Sequence, residues 1–216
     1  MKSWLKTNRG FILFLLCFGV FRTAIADWNP IPSGSMHPNL LEGDVVFVNR
    51  LAYDLKLPLT DIVLAPLGEP KRGEIVTFSS PQGGTRLIKR IIGVPGDKVE
   101  MRNEILYIND QRASYSEQAL GVAPENALQL TETVADSKRR MQVLPSGAPR
   151  NSFGPVTVPP DHYLMLGDNR DNSADSRYFG FVERKLLIGQ ANRILVSADI
   201  LANWAPRFDR FGKALQ

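Results

Sequence analysis

Hydrophobic positions fall into three patterns along the chain. The first is an unbroken apolar run from Phe11 to Phe21, preceded by Lys2, Lys6 and Arg9. As a helix it spans roughly 16 Å, about half of a ~30 Å hydrocarbon core; continuing to Ala26 with Arg22 snorkelling gives roughly 24 Å. The second pattern is a series of short β-branched and aromatic stretches. They predict strands at Asp44–Tyr53, Gly73–Pro81 and Thr85–Val94, the last closed by the turn Pro95-Gly96-Asp97. A hairpin about Asn103 follows, with arms at 98–103 and 104–110, and further strands are predicted at His162–Asp168 and Ile188–Val196. No strand alternates with a long amphipathic helix, which argues against a βαβ architecture. The third pattern is polar: Gln111–Asn151 reads as a small inserted subdomain or a long excursion on one side of a β domain, and the aromatic and basic tail Ala205–Leu215 as a surface-docked end.

Composition narrows the function classes. The chain has 216 residues, 44% of them apolar, enough for one ordinary domain with an appendage. Net charge is +4 without a block of five or six like charges, so nucleic acid is a poor partner, and an anionic membrane surface accounts for the excess equally well. Cys17 is the sole cysteine, so no intrachain disulfide forms, and with only His37 and His162 beside it a Cys/His metal site is not predicted. No metal and no cofactor is expected. The N-terminus has two readings: a retained anchor with its basic end inside and Trp28 at the far interface, or a removable signal peptide cut after Ala24-Ile25-Ala26. Both place the rest of the chain outside the cytoplasm.

Three polar segments embedded in the predicted strands carry candidate chemistry: Ser33–Met36, Leu87–Arg90 and Gly167–Arg177. Neighbouring strand residues point to opposite faces, so Lys89 and Arg90 cannot leave by the same side, and one must face inward or line a cleft. Lys89 is then either an edge lysine snorkelling to water or a desolvated one. A free lysine is neutral about once in 2,500 molecules at pH 7; burial lowers its pKa and makes it a competent general base. Ser35 needs such a base to become a nucleophile. His37 starts roughly 6–7 Å along the chain and points in parallel, a poor geometry for taking its proton. His162 reads as a surface or capping residue. A Ser-Lys dyad requires only that Ser35 and Lys89 meet. The loop Gly167–Arg177 does not match the calcium-loop spacing with Asp168, Asp171 and Asp175. It reads either as a solvated loop or as a network of those aspartates with Arg170 and Arg177, beside which Ser173 can orient a lysine.

These segments, "IPSGSMHPNL", "RGEIVTFSSP", "LIKRIIGVPGDKVE" and "GDNRDNSADSRYFGFV", in this order behind an apolar N-terminus, resemble the bacterial type I signal peptidases, the leader peptidases. The resemblance covers most of 22–196, most loosely in the middle. It implies a mainly β fold: an antiparallel β catalytic domain (28–110 and 152–216) with a small inserted second domain (111–151), an anchor helix (10–27) and a cytoplasmic N-terminus (1–9). It implies Ser35 as nucleophile, Lys89 as general base, Ser33 with the Ser35 N–H as oxyanion hole, Ser173 as the hydroxyl that positions the lysine, and Asp175 with Arg177 as the brace of the last loop. Ile31, Pro32, Met36, Leu40 and Ile88 resemble the apolar walls that accept small side chains. The implied activity is a serine endopeptidase on the outer face of the cytoplasmic membrane that cuts exported preproteins after a small-x-small motif. Its partners are signal peptides, the lipid bilayer and the export translocon. Under this reading the anchor is retained and Ala24–Ala26 becomes a site of self-processing. A maturation peptidase of a secretion or conjugation system and a non-catalytic anchored β domain are the alternatives. A repressor-type Ser-Lys autoprotease would need a DNA-binding helical N-terminus where this chain has its apolar run.

Overall fold

The structure is a computed structural model that describes residues 4, 7–60, 62–117, 127–134, 137–144 and 150–215. Lys2, Lys6 and parts of the polar middle (118–126, 135–136, 145–149) lie outside the described residues. The apolar run forms α1 (Arg9–Val20), continued by a π-helical turn at Phe21–Ile25. Its Phe11, Leu13, Phe14 and Leu16 are exposed. The helix expected over 10–27 therefore ends at Ile25, because the next residues enter a sheet as β1 (Ala26–Pro30). No helix among the described residues is long and apolar enough to cross a membrane. Ala24 and Ala26 are both buried, so the small-x-small stretch is not an open extended segment.

Strand β2 (Asp44–Asn49) buries alternate residues, including Val46 and Val48. It stops short of the expected Tyr53 because Asn49 Oδ1 accepts the Leu51 N–H at 3.1 Å and turns the chain into a 3₁₀ turn, Arg50–Ala52. The small hairpin β3 (Asp54–Lys56) and β4 (Val63–Pro66) leads to β5 (Ile75–Ser79) and β6 (Arg86–Gly93). β7 (Lys98–Arg102) and β8 (Ile105–Ile108) form the expected hairpin. Asn103 and Glu104 both have positive φ, 48° and 68°, as a two-residue turn that follows the strand twist requires. The polar middle holds β9 (Gln111–Arg112), β10 (Ser114–Glu117), β11 (Leu128–Val134) and β12 (Ser137–Val143). After β13 (Phe153–Thr157) and β14 (His162–Leu166) come the one-turn helix α2 (Ser176–Phe179), β15 (Val182–Glu183) and the long β16 (Leu187–Ser197).

The architecture is mainly antiparallel β. The largest sheet runs β1-β2-β16-β5-β6-β14-β15; the others are β13-β7-β8-β9, β10-β11-β12 and the hairpin β3-β4. β6 shows why its sequence reads as nearly continuous apolar: Ile91 enters one core with Val76, Phe78 and Met165, while Ile92 enters another with Val99, Leu106 and Leu164. A strand buried on both faces has no polar face to alternate with. Each fully buried isoleucine contributes about 1.5–3 kcal/mol. Val134 of β11 and Ala113 join the Ile92 core, so the polar middle is packed onto the β7–β8 hairpin. The tail docks as expected, the Leu215 N–H donating to Asn192 O at 2.9 Å.

Candidate active site

Ser35 sits in a 3₁₀ turn, Gly34–Met36, that follows β1. The turn is closed by the His37 N–H donating to Gly34 O at 3.1 Å. The first N–H groups of such a turn precede its closing bond and have no partner within it. Two buried apolar side chains, Ile31 before the turn and Met36 at its end, fix its position on the core shared with Val46, Val48 and Ile194. β6 carries Lys89 and Arg90 to opposite faces, and neither reaches water: they are 3% and 1% exposed. Arg90 is neutralised by Asp168, Nε to Oδ1 and Nη2 to Oδ2 both at 2.7 Å. Among the described residues no carboxylate forms an ion pair with Lys89. Its Nζ is hydrogen-bonded to Ser35 Oγ at 2.5 Å, across 54 positions of sequence. Burial lowers the Lys89 pKa to about 8, despite the opposing pull of Asp175 and Asp168.

The loop between β14 and α2 presses on this pair from one side. Asn169 donates its N–H to Ser35 O at 3.2 Å and its Nδ2 to Gly34 O at 3.0 Å. The approach is close enough to require glycine at 167: a Cβ there would lie 2.5 Å from Ser35 O and 2.2 Å from Ser173 Oγ. Asp175 caps α2 through the Arg177 N–H and accepts from the Gly167 N–H at 3.0 Å. Arg177 grips Asp175 with Nε and Nη2, each at 2.8 Å, and donates to Arg170 O at 2.6 Å. The loop is thus held by charge-assisted bonds that need no solvent.

Several expected site residues fall elsewhere than pictured. Ser173 Oγ is buried against Gly167 without a hydrogen-bond partner, so it makes no bond to Lys89. Ser33 is exposed, in extended backbone just before the turn. Met36 and Leu40 are fully buried and Ile31 nearly so; they are core beneath the site, leaving exposed Pro32 and half-buried Ile88 as the apolar groups nearer solvent. His37 turns away to Glu42, Nε2 to Oε2 at 2.7 Å, and His162 Nδ1 bonds Pro160 O. Arg170 is not paired with the loop's aspartates. It reaches the β11 carboxylate of Glu132, Nη1 to Oε1 at 2.9 Å and Nη2 to Oε2 at 2.7 Å, and Arg139 joins the same carboxylate at 2.6 Å. Burial alone would raise the Glu132 pKa; the two guanidiniums overcome it and hold the carboxyl well below the usual range. Glu132, Asn169 and the Arg90–Asp168 pair escape sequence reasoning, since nothing local distinguishes a paired buried charge from a solvated one.

A serine hydroxyl bonded to a buried lysine amine, with no histidine in reach, is the arrangement of a Ser-Lys hydrolase. The family described as signal peptidase, peptidase S26, matches residues 1–196. This chain belongs to that family. It is a serine endopeptidase, and signal-peptide removal is its family's reaction. Signal peptidase I of Pseudomonas aeruginosa is 33% identical over 93% of this chain and 75% of the relative, and that of Buchnera aphidicola 33% over 97% and 81%. A solved signal peptidase I from Enterococcus faecalis is 36% identical, covering 56% of this chain and 96% of its own, with a TM-score of 0.37.

Proposed function

We propose that this chain removes signal peptides from exported preproteins, with Ser35 as nucleophile and neutral Lys89 as general base. The observation that supports it is the 2.5 Å Lys89–Ser35 hydrogen bond at a lysine that burial has shifted to about 8. At neutral pH roughly a tenth of such lysines are unprotonated, about two hundred times more than for a free lysine. Lys89 takes the Ser35 proton as Oγ attacks the scissile carbonyl, then returns it to the leaving amine. The N–H of Ser35, with the Ser33 hydroxyl, faces the developing oxyanion. Lys89 next takes a proton from water, which hydrolyses the acyl-enzyme. Ser173, unpartnered and adjacent, becomes available to hold the amine once Ser35 is acylated. Asp175 and Arg177 brace the loop. Small residues one and three positions before the cut suit a shallow site whose exposed apolar wall is Pro32 and Ile88, over a floor of Ile31, Met36 and Leu40.

The same reading assigns 28–110 and 152–216 to the catalytic β domain and 111–151 to a small inserted unit, supported by the self-contained sheet β10-β11-β12. It places the protein at the outer face of the cytoplasmic membrane, next to the translocon, with the exposed apolar α1 as the part that meets lipid. Cleavage of a model preprotein in detergent tests it: wild-type enzyme should release one product whose new N-terminus follows a small-x-small motif, and Ser35→Ala should release none. Undiminished processing by Ser35→Ala would remove Ser35 from the reaction, and no processing by the wild-type protein would leave the non-catalytic reading.

A further inference from the structure

The largest sheet is open in a specific way. β1 pairs with β2 on one edge, and no strand among the described residues pairs its other edge. In β6, Arg86–Lys89 pair with β5, and pairing with β14 begins only at Arg90. The curl of the sheet brings these two bare edges toward each other. At one end Lys89 meets Ser35 beyond β1. Next, Ile88 and Ile31 share a core. At the far end Arg86 Nη1 reaches across to Asp27 Oδ2 and Asn29 Oδ1, both at 2.7 Å. A peptide strand added between two edges sits ~4.8 Å from each, a gap of roughly 10 Å that an arginine and a carboxamide together can span. Arg86 is therefore a crossbar over the end of the slot remote from Ser35.

The crossbar is charged in a particular sense. Asp27 is buried and receives three guanidiniums: Arg86, Arg22 at 3.3 Å and Arg50 at 3.9 Å. Arg50 is buried and has other partners, so the outward-facing charge at this end of the slot is the two half-exposed guanidiniums of Arg86 and Arg22 over the one carboxylate of Asp27. Arg86 and Arg22 are each about half exposed, their side chains at 46% and 47%, so they can turn toward a bound chain. Arg86 lies three residues from Lys89, about 10 Å along the strand.

Resting on the peptidase reading above, we propose that Arg86 is a specificity residue that reads the substrate four to six residues before the cut. It accepts a side chain with a hydrogen-bond acceptor there, such as serine, asparagine or aspartate, and disfavours lysine and arginine. Occupation of the slot exchanges the Asn29 and Asp27 acceptors of Arg86 for the substrate's own, so an acceptor-bearing substrate restores what the apolar or basic one leaves unpaired.

Peptides carrying serine, alanine, aspartate or lysine at each of these positions, all with alanine one and three before the cut, test this in neutral detergent. Wild-type enzyme should cleave the serine or aspartate peptide about tenfold more efficiently than the lysine peptide at one of them, a ratio expected of unit charges meeting near a protein surface. Arg86→Gln should level the ratio and Arg86→Glu reverse it. Ratios taken within one variant are insensitive to how much of it is folded. Equal ratios in wild type and Arg86→Glu would overturn the inference while leaving the peptidase reading intact. Discrimination that arises only with phosphatidylglycerol vesicles would also overturn it, assigning the arginines to lipid headgroups. Failure of wild-type enzyme to cut any peptide would sink the peptidase reading, and the inference with it.

Discussion

Two buried cationic centres are tied to the Gly167–Arg177 loop, one through Arg170 and one through Asn169 at Ser35, and they are built on opposite plans. At Glu132, two guanidiniums share one carboxylate that is fully buried. At Lys89, the cation faces a neutral hydroxyl, and the nearest aspartates, Asp168 and Asp175, are already engaged by Arg90 and Arg177. The first plan fixes charge permanently: arginine does not lose its proton, and the paired carboxyl does not gain one. The second withholds a counter-ion, so burial drives the lysine toward neutrality. A rigid brace and a titratable base call for the same ingredient, a buried cation, with and without its partner.

The largest effect comes from giving the base a charge it cannot lose. Lys89→Arg keeps the cation and removes its titration, and activity should fall at least ~10⁴-fold in single-turnover cleavage, as for loss of a member of a catalytic unit. Retained activity would mean that Lys89 is structural, like Arg90. Removing the brace's charge acts on stability instead. Glu132→Gln leaves two buried guanidiniums without a counter-ion and should lower unfolding free energy by about 3–5 kcal/mol in urea titrations. A loss under about 1 kcal/mol would show that water reaches this cluster and that the contrast with Lys89 is one of degree. Gly167→Ala forces the loop off Ser35 O, a backbone atom that cannot swing aside, and should cost about 1–3 kcal/mol together with most activity.

The contrast was half legible from sequence. Lys89 next to Arg90 in an apolar strand already demanded that one of them turn inward, and the structure turns both. Asp175 and Arg177 are two residues apart, so their pairing is local and readable. Glu132 was not readable. It lies in "TETVADSKRR", which has the composition of a solvated face, yet Thr131, Glu132 and Arg139 are buried. Alternation reports which residues share a face; it does not report that a charge on the buried face has found partners 7 and 38 positions away. The apolar strands β2, β5, β6, β14 and β16 were legible for the opposite reason, since burial of Val, Ile and Phe needs no partner to be named, whereas the polar strands β10, β11 and β12 gave no such signal. The end of α1 was missed because the pull of β2 on Ala26–Pro30 is tertiary: apolarity runs on through Ala24 and Ile25 while the backbone joins the sheet.

The smallest structural perturbation carries the sharpest contrast. His37→Ala removes the Glu42 partner but touches neither Lys89 nor its hydrogen bond, so cleavage should change only a few-fold. In the proposed mechanism Lys89 works as the neutral amine, so activity should be lost as pH falls through its folded pKa, tenfold per unit below the limb. The decisive measurement is the pH dependence of kcat/KM for a model preprotein, taken for wild type and His37→Ala alike. A single acid limb near pH 8, unchanged by His37→Ala, is the predicted result. A limb that disappears in His37→Ala would contradict it and hand the base's role to the histidine.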